Sequence, residues 1–90
     1  MNLFGMDTSE ILSVAKSLGR QSGDLRTLTA DMEKLVRQAV DVWDGDDSDQ
    51  FLEWWETEHR PALLKAQALI ERLSGVAHEG VVAQERASSA

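Results

Sequence analysis

Between residues 8 and 43, a stretch free of proline, apolar side chains recur every seven positions. Ile11, Leu18, Leu25, Met32 and Ala39 make one column, and Val14, Leu28, Leu35 and Val42 a second that Gln21 interrupts. Ala15, Val36 and Trp43 lie beside them, in line with Ser22 and Thr29. Columns offset by three and four residues merge into one apolar stripe on a helix. The spacing predicts a helix over 8–43, roughly 54 Å long at 1.5 Å per residue. Thr8 or Ser9 is the expected N-cap, with Asp7 and Glu10 well placed against the positive end of the dipole. Gly19 and Gly23 fall off the stripe and read as exposed weak points, costing about 1 kcal/mol each relative to alanine.

The pattern breaks in a cluster of turn formers, Asp44-Gly45-Asp46-Asp47-Ser48, and then resumes. A second helix is predicted over 49–84, capped by Ser48 or Asp49. Leu52, Ala66 and Leu73 share a column with His59 and Gly80; Trp55, Ala62, Leu69, Val76 and Ala83 form the next, flanked by Leu63, Ile70 and Ala77. Pro61 removes the bond to the Thr57 carbonyl, so a kink near 61 or a break just before it is expected. Residues 1–7 and 85–90 read as tails, the latter flexible. Two such helices joined by about five residues return antiparallel. Each stripe is three columns, about 100° wide, whereas a two-stranded seam uses two. The expected fold is therefore all-α: an antiparallel two-helix hairpin that dimerises into a four-helix bundle.

Ninety residues and 10.0 kDa allow one small domain. Nine Lys and Arg against sixteen Asp and Glu leave a net charge of −7. That sign repels phosphate backbones and anionic lipid, which argues against nucleic acid as a partner. Runs such as Pro61-Ala62-Leu63-Leu64 fall far short of the ~20 apolar residues that membrane insertion requires. Residues 1–6 lack a basic region and an apolar core, unlike a cleaved signal peptide. The absence of cysteine excludes disulfides and thiolate zinc sites. The acidity is local. Asp41, Asp44, Asp46, Asp47, Asp49, Glu53, Glu56 and Glu58 fall within residues 41–58, which hold no Lys or Arg.

Trp43-Asp44-Gly45 is a Trp-X-Gly turn at the middle of the chain, with Phe51 eight residues after the tryptophan. Placed between two amphipathic helices, it resembles the WXG family of small type VII (ESX) secretion proteins, which includes the early secreted antigenic target proteins. The resemblance covers roughly residues 7–85. It implies a helical hairpin that pairs with itself or with a homologous hairpin chain, and export from the cytoplasm through the type VII secretion machinery without a cleaved signal. Trp43 and Gly45 then occupy the motif and Phe51 the following aromatic position. Family members, or one partner of each pair, also carry a Tyr-X-X-X-Asp/Glu export signal after the second helix. This chain has no tyrosine; the nearest frame is Val81-Val82-Ala83-Gln84-Glu85, with Val81 in place of the tyrosine and Glu85 as the acid. The departure implies either a partner that supplies the signal or a degenerate one.

Other chemistry finds little footing. Asp44, Asp46 and Ser48 match the first positions of a calcium loop, but Asp49 stands where glycine is needed and Trp55 where a bidentate Glu is needed. Asp41 and Asp44 sit against the negative end of the first helix, a cost consistent with docking to a basic surface. His59 reads as a partly buried structural histidine, since His78 lies 19 residues away. No Ser-His-acid spacing or phosphate loop is present, so no catalytic residue, metal or cofactor is assigned. Trp55 belongs to the apolar column; Trp54 points about 100° away and is a candidate contact for a partner. The expected interface comprises Ile11, Leu18, Leu25, Leu28, Met32, Leu35, Phe51, Trp55, Leu69 and Leu73. The expected function is that of a non-enzymatic type VII secretion substrate or secretion partner acting through helical dimerisation. The alternative is a cytoplasmic helical adaptor, chaperone-like toward a larger effector. Whether the partner is identical or different stays open at this level.

Overall fold

A computed structural model describes residues 7–89; residues 1–6 of the expected N-terminal tail and Ala90 lie outside the described residues. The fold is an all-α helical hairpin. Helix α1 spans Thr8–Val42; α2 (Asp46–Trp54), a π-helical turn (Trp55–His59) and α3 (Arg60–Ser89) follow one another without a break. No helix among the described residues is long and apolar enough to cross a membrane.

Asp7, rather than Thr8 or Ser9, caps α1. Its Oδ1 accepts the Glu10 N–H at 3.1 Å and the Ser9 hydroxyl at 3.0 Å, and its carbonyl accepts the Ile11 N–H at 3.0 Å. A short carboxylate set one residue before the helix reaches the third helical amide, which satisfies one of the orphan donors. The Glu10 N–H, with the Ser9 hydroxyl second, holds the Asp7 carboxyl below its ordinary value.

Helix α1 stops at Val42, and α2 begins at Asp46 rather than at 49. Its N-cap is Gly45, at φ +119° and ψ −179°, whose carbonyl accepts the Asp49 N–H at 3.3 Å. No side chain caps α2; Ser48 is buried instead. At the far end α3 continues to Ser89, so residues 85–89 extend the helix rather than fray. Beyond Gly80 the chain offers no glycine or proline to stop it, and Ala, Gln, Glu and Arg propagate a helix readily.

The π-helical turn answers Pro61. The Arg60 N–H reaches back five residues to the Trp55 carbonyl, so the chain passes the proline without breaking. Such a turn holds about one residue more than an α turn and slips the register accordingly. Before it, Ser48 and Trp55 are buried, seven apart. In an unbroken α-helix the same column would continue through Ala62, Leu69, Val76 and Ala83, yet all four are exposed. The inner column moves on by one residue, to Leu63, Ile70, Ala77 and Gln84, with Ser74 and Val81 beside it.

The centre of the seam on α1 also differs from its most apolar columns. Ala15, Ser22, Thr29 and Val36 are the buried heptad, while Ile11, Leu18, Leu25 and Met32 are half-buried and Val14, Leu28, Leu35 and Val42 are exposed. Small side chains let the facing helix approach closely. The Thr29 hydroxyl donates to the Leu25 carbonyl at 2.8 Å, which satisfies it within its own helix and leaves the methyl for packing.

The chain divides into two compact units, one of Met1–Ser22 with Ala68–Ala90 and the other of Gly23–Gln67. In the first, the Ser74 hydroxyl donates to the Ala15 carbonyl at 2.7 Å, and a Cβ on Gly19 would stand 3.4 Å from the Ser74 Oγ. Gly19 is exposed, as expected, but it borders Ser74 of α3 rather than open space. Gly23 has nothing within 4 Å of a would-be Cβ, as an exposed weak point should.

Candidate functional site

The unit Gly23–Gln67 holds the turn and the whole of the acidic segment 41–58. Gly45 sets the turn, and across it the Trp43 and Phe51 rings meet with centroids 5.5 Å apart at 45°. Trp43 is 41 % exposed and Phe51 half-buried, so the pair covers one side of the turn and remains accessible. Trp55, by contrast, is 3 % exposed, and its indole N–H donates to Glu33 Oε2. The chain itself covers Trp55, leaving it unavailable to a partner.

Glu33 is a hub that the heptad pattern does not reveal. Besides the indole, its Oε1 receives Arg37 Nε at 3.3 Å and Arg60 Nη1 at 3.4 Å, and Arg37 reaches on to Glu56 Oε1 at 2.8 Å. The Trp55 hydrogen bond is the main cause that holds the Glu33 carboxyl below its ordinary value; burial, second in size, opposes it, and Arg37 and Arg60 add to the lowering. Nearby, the Arg26 guanidinium faces the Gln67 amide at 3.0 and 3.2 Å, with the amide oxygen accepting. One side of this unit is therefore a polar lattice that ties α1 to the π-helical turn and the start of α3. Glu33 reads in sequence as an ordinary surface acid; its one visible signal is the i,i+4 spacing to Arg37.

The opposite side is open and apolar. Leu28 and Leu35 immediately precede the buried Thr29 and Val36 on α1, as Trp54 immediately precedes the buried Trp55. On antiparallel helices, positions one residue before the seam fall on the same face. The Arg37–Glu56 pair, one residue after Val36 and Trp55, fixes the other face independently. Leu28, Leu35, Val42 and Trp54 are 52, 63, 85 and 49 % exposed. Leu25 and Met32 are half-buried beneath them.

In the unit Met1–Ser22 with Ala68–Ala90, Ile11 and Leu18 are half-buried, and Leu69, Leu73 and Val76 stand exposed on α3. Val81, in the degenerate export frame, is buried at 3 %, and Glu85 is exposed. A shallow cleft of about 350 Å³ lies among Ala15, Lys16, Gly19, Ser74 and His78. Trp43 and Gly45 belong to the other unit. His59 is exposed at the end of the π-helical turn, not half-buried as its column suggested, because the register slip carries it off the seam. Among the described residues no three His, Asp or Glu side chains converge as metal ligands, and no buried side-chain polar atom lacks a partner. No family model, curated protein or solved structure matches this chain.

Proposed function

We propose that this chain is a non-enzymatic helical hairpin that works by pairing with a second hairpin chain, as a small type VII secretion substrate or the partner of one. The observation that carries the reading is the open apolar face. Leu28, Leu35 and Val42 recur at heptad spacing with Trp54 beside them, all about half or more exposed. Exposed apolar side chains in register along a helix mark an interaction surface, whereas single scattered ones mean nothing. In the other unit Leu69, Leu73 and Val76 are likewise about half exposed. The Trp43-Asp44-Gly45 turn, with Phe51 against Trp43, supports the likeness to the WXG family. With Val81 buried where that family has a tyrosine, the export signal falls to the partner. In this reading the protein is made in the cytoplasm and leaves by a route without a cleaved signal peptide.

The test is sedimentation at about 1 M salt, where surface charge is screened within ~3 Å. The wild-type chain should self-associate, and Leu28→Gln with Leu35→Gln should leave a monomer of unchanged helicity. Equal association of the two chains would refute the pairing face. Export is read separately, as chain in the culture medium of a host with a type VII system and a bound hairpin partner. Retention of the paired chain inside such cells would leave an adaptor role instead.

A further inference from the structure

We infer that the open face of Gly23–Gln67 is built to receive a positively charged helical partner rather than a second copy of this chain; the inference rests on the pairing function proposed above. The unit holds eleven carboxylates and five Lys or Arg. Three of the five basic residues gather on one side. Arg37 and Arg60 are drawn into the lattice with Glu33 and Glu56, and Arg26 faces Gln67, all away from the open apolar residues.

The rim of the open face is left acidic. Asp24 and Asp31 each stand one helical turn before Leu28 and Leu35, so they border that column on its outer side. On the return segment, Asp47 precedes the buried Ser48 as Trp54 precedes Trp55, and Glu58 follows Trp54 by four residues. All four acids are exposed, and no ion pair among the described residues involves them. Lys65 is the basic exception on this side.

A second copy fits this rim poorly in either orientation. Antiparallel stacking lays α1 on its own copy and sets the Asp24 and Asp31 rims against each other. Parallel stacking brings two copies of the 41–58 segment together, each with eight acids and no Lys or Arg. Like charges facing across an interface oppose association and select against that partner. A hairpin with Lys or Arg at heptad spacing along the edge beside α1 meets the same rim with opposite charge.

A rim-reversed chain, Asp24→Lys, Asp31→Lys, Asp47→Lys and Glu58→Lys, serves as the probe. Mixed with wild type at about 0.01 M salt, where charges act over ~30 Å, it should form a 1:1 complex. That complex should be about tenfold tighter or more than the wild-type self-complex, and it should weaken as salt rises. Wild-type self-association should instead strengthen with salt. Wild-type self-association that is as strong at low salt as at high salt, with no preference for the reversed chain, would overturn the partner's charge and leave the pairing face standing. No association of either chain at any salt would overturn the pairing function and this inference with it. If the reversed chain fails to fold, Asp24→Asn with Asp31→Asn replaces it. That neutral chain should self-associate more tightly than wild type at low salt, and an unchanged affinity refutes the inference.

Discussion

Replacing Gly45 by L-alanine isolates the backbone cost of the turn. At φ +119° and ψ −179° the residue occupies a region that is essentially glycine's alone, where a Cβ costs of order 1–3 kcal/mol. A Cβ there would meet nothing within 4 Å, so neither a clash nor new packing adds to or offsets that cost. The whole effect is conformational. Gly45→Ala should therefore lower stability by about 1–3 kcal/mol, and each kcal/mol should lower the melting temperature by roughly 4–8 °C in a chain of this size. D-alanine at the same position, introduced by chemical synthesis, inverts the sign: its mirror-image angles fall in the ordinary extended region, so the D-alanine chain should melt close to wild type. Gly23→Ala is the control. That glycine is helical and unopposed, so alanine should add about 0.5–1 kcal/mol. Thermal melts followed by far-ultraviolet circular dichroism read all three chains. An L-alanine chain that melts within about a degree of wild type, or a D-alanine chain damaged as much as the L-form, would refute the reasoning.

Three further outcomes follow from the packing. The Glu33 carboxyl is held below its ordinary value of 4.5 in the folded chain, so its stabilising contribution is present above that pH and is lost as pH falls through the lowered value. Glu33→Gln should lower stability at neutral pH and flatten the acid side of the melting-temperature profile; an unchanged slope would remove Glu33 as the hub. Ser74→Ala deletes the hydroxyl that donates to the Ala15 carbonyl and should cost about 0.5–1.5 kcal/mol in denaturant unfolding, with no change in helicity. Val36→Ala, at a buried position, should cost about 2 kcal/mol, while Leu35→Ala next to it, 63 % exposed, should stay within about 0.5 kcal/mol in the monomer. Equal costs at the two positions would mean that the seam is centred elsewhere.

The helices and the turn were legible in the residues themselves. A sustained heptad without proline is compatible with a helix and little else, and Asp44-Gly45-Asp46 offers the one glycine among the described residues where a positive φ is required. The nature of Trp55 as an inner residue was likewise readable from its column. Periodicity could not say which column forms the centre of the seam, because several adjacent columns are apolar. Helix packing chose the smaller one, Ala15, Ser22, Thr29 and Val36, since close approach of two backbones rewards small side chains over Leu28 or Leu35. Nor could the pattern after Pro61 be read as written. A proline announces that a bond is lost, but not whether the chain kinks, breaks or widens by one residue. Only the tertiary structure showed the π-helical turn, and with it the one-residue slip that turns Leu69 and Val76 outward and Ile70 and Val81 inward. The Glu33 lattice is a product of the same step. Its partners Trp55 and Arg60 lie 22 and 27 residues away along the chain, and distance in sequence carries no trace of which side of a helix a distant carboxylate will meet.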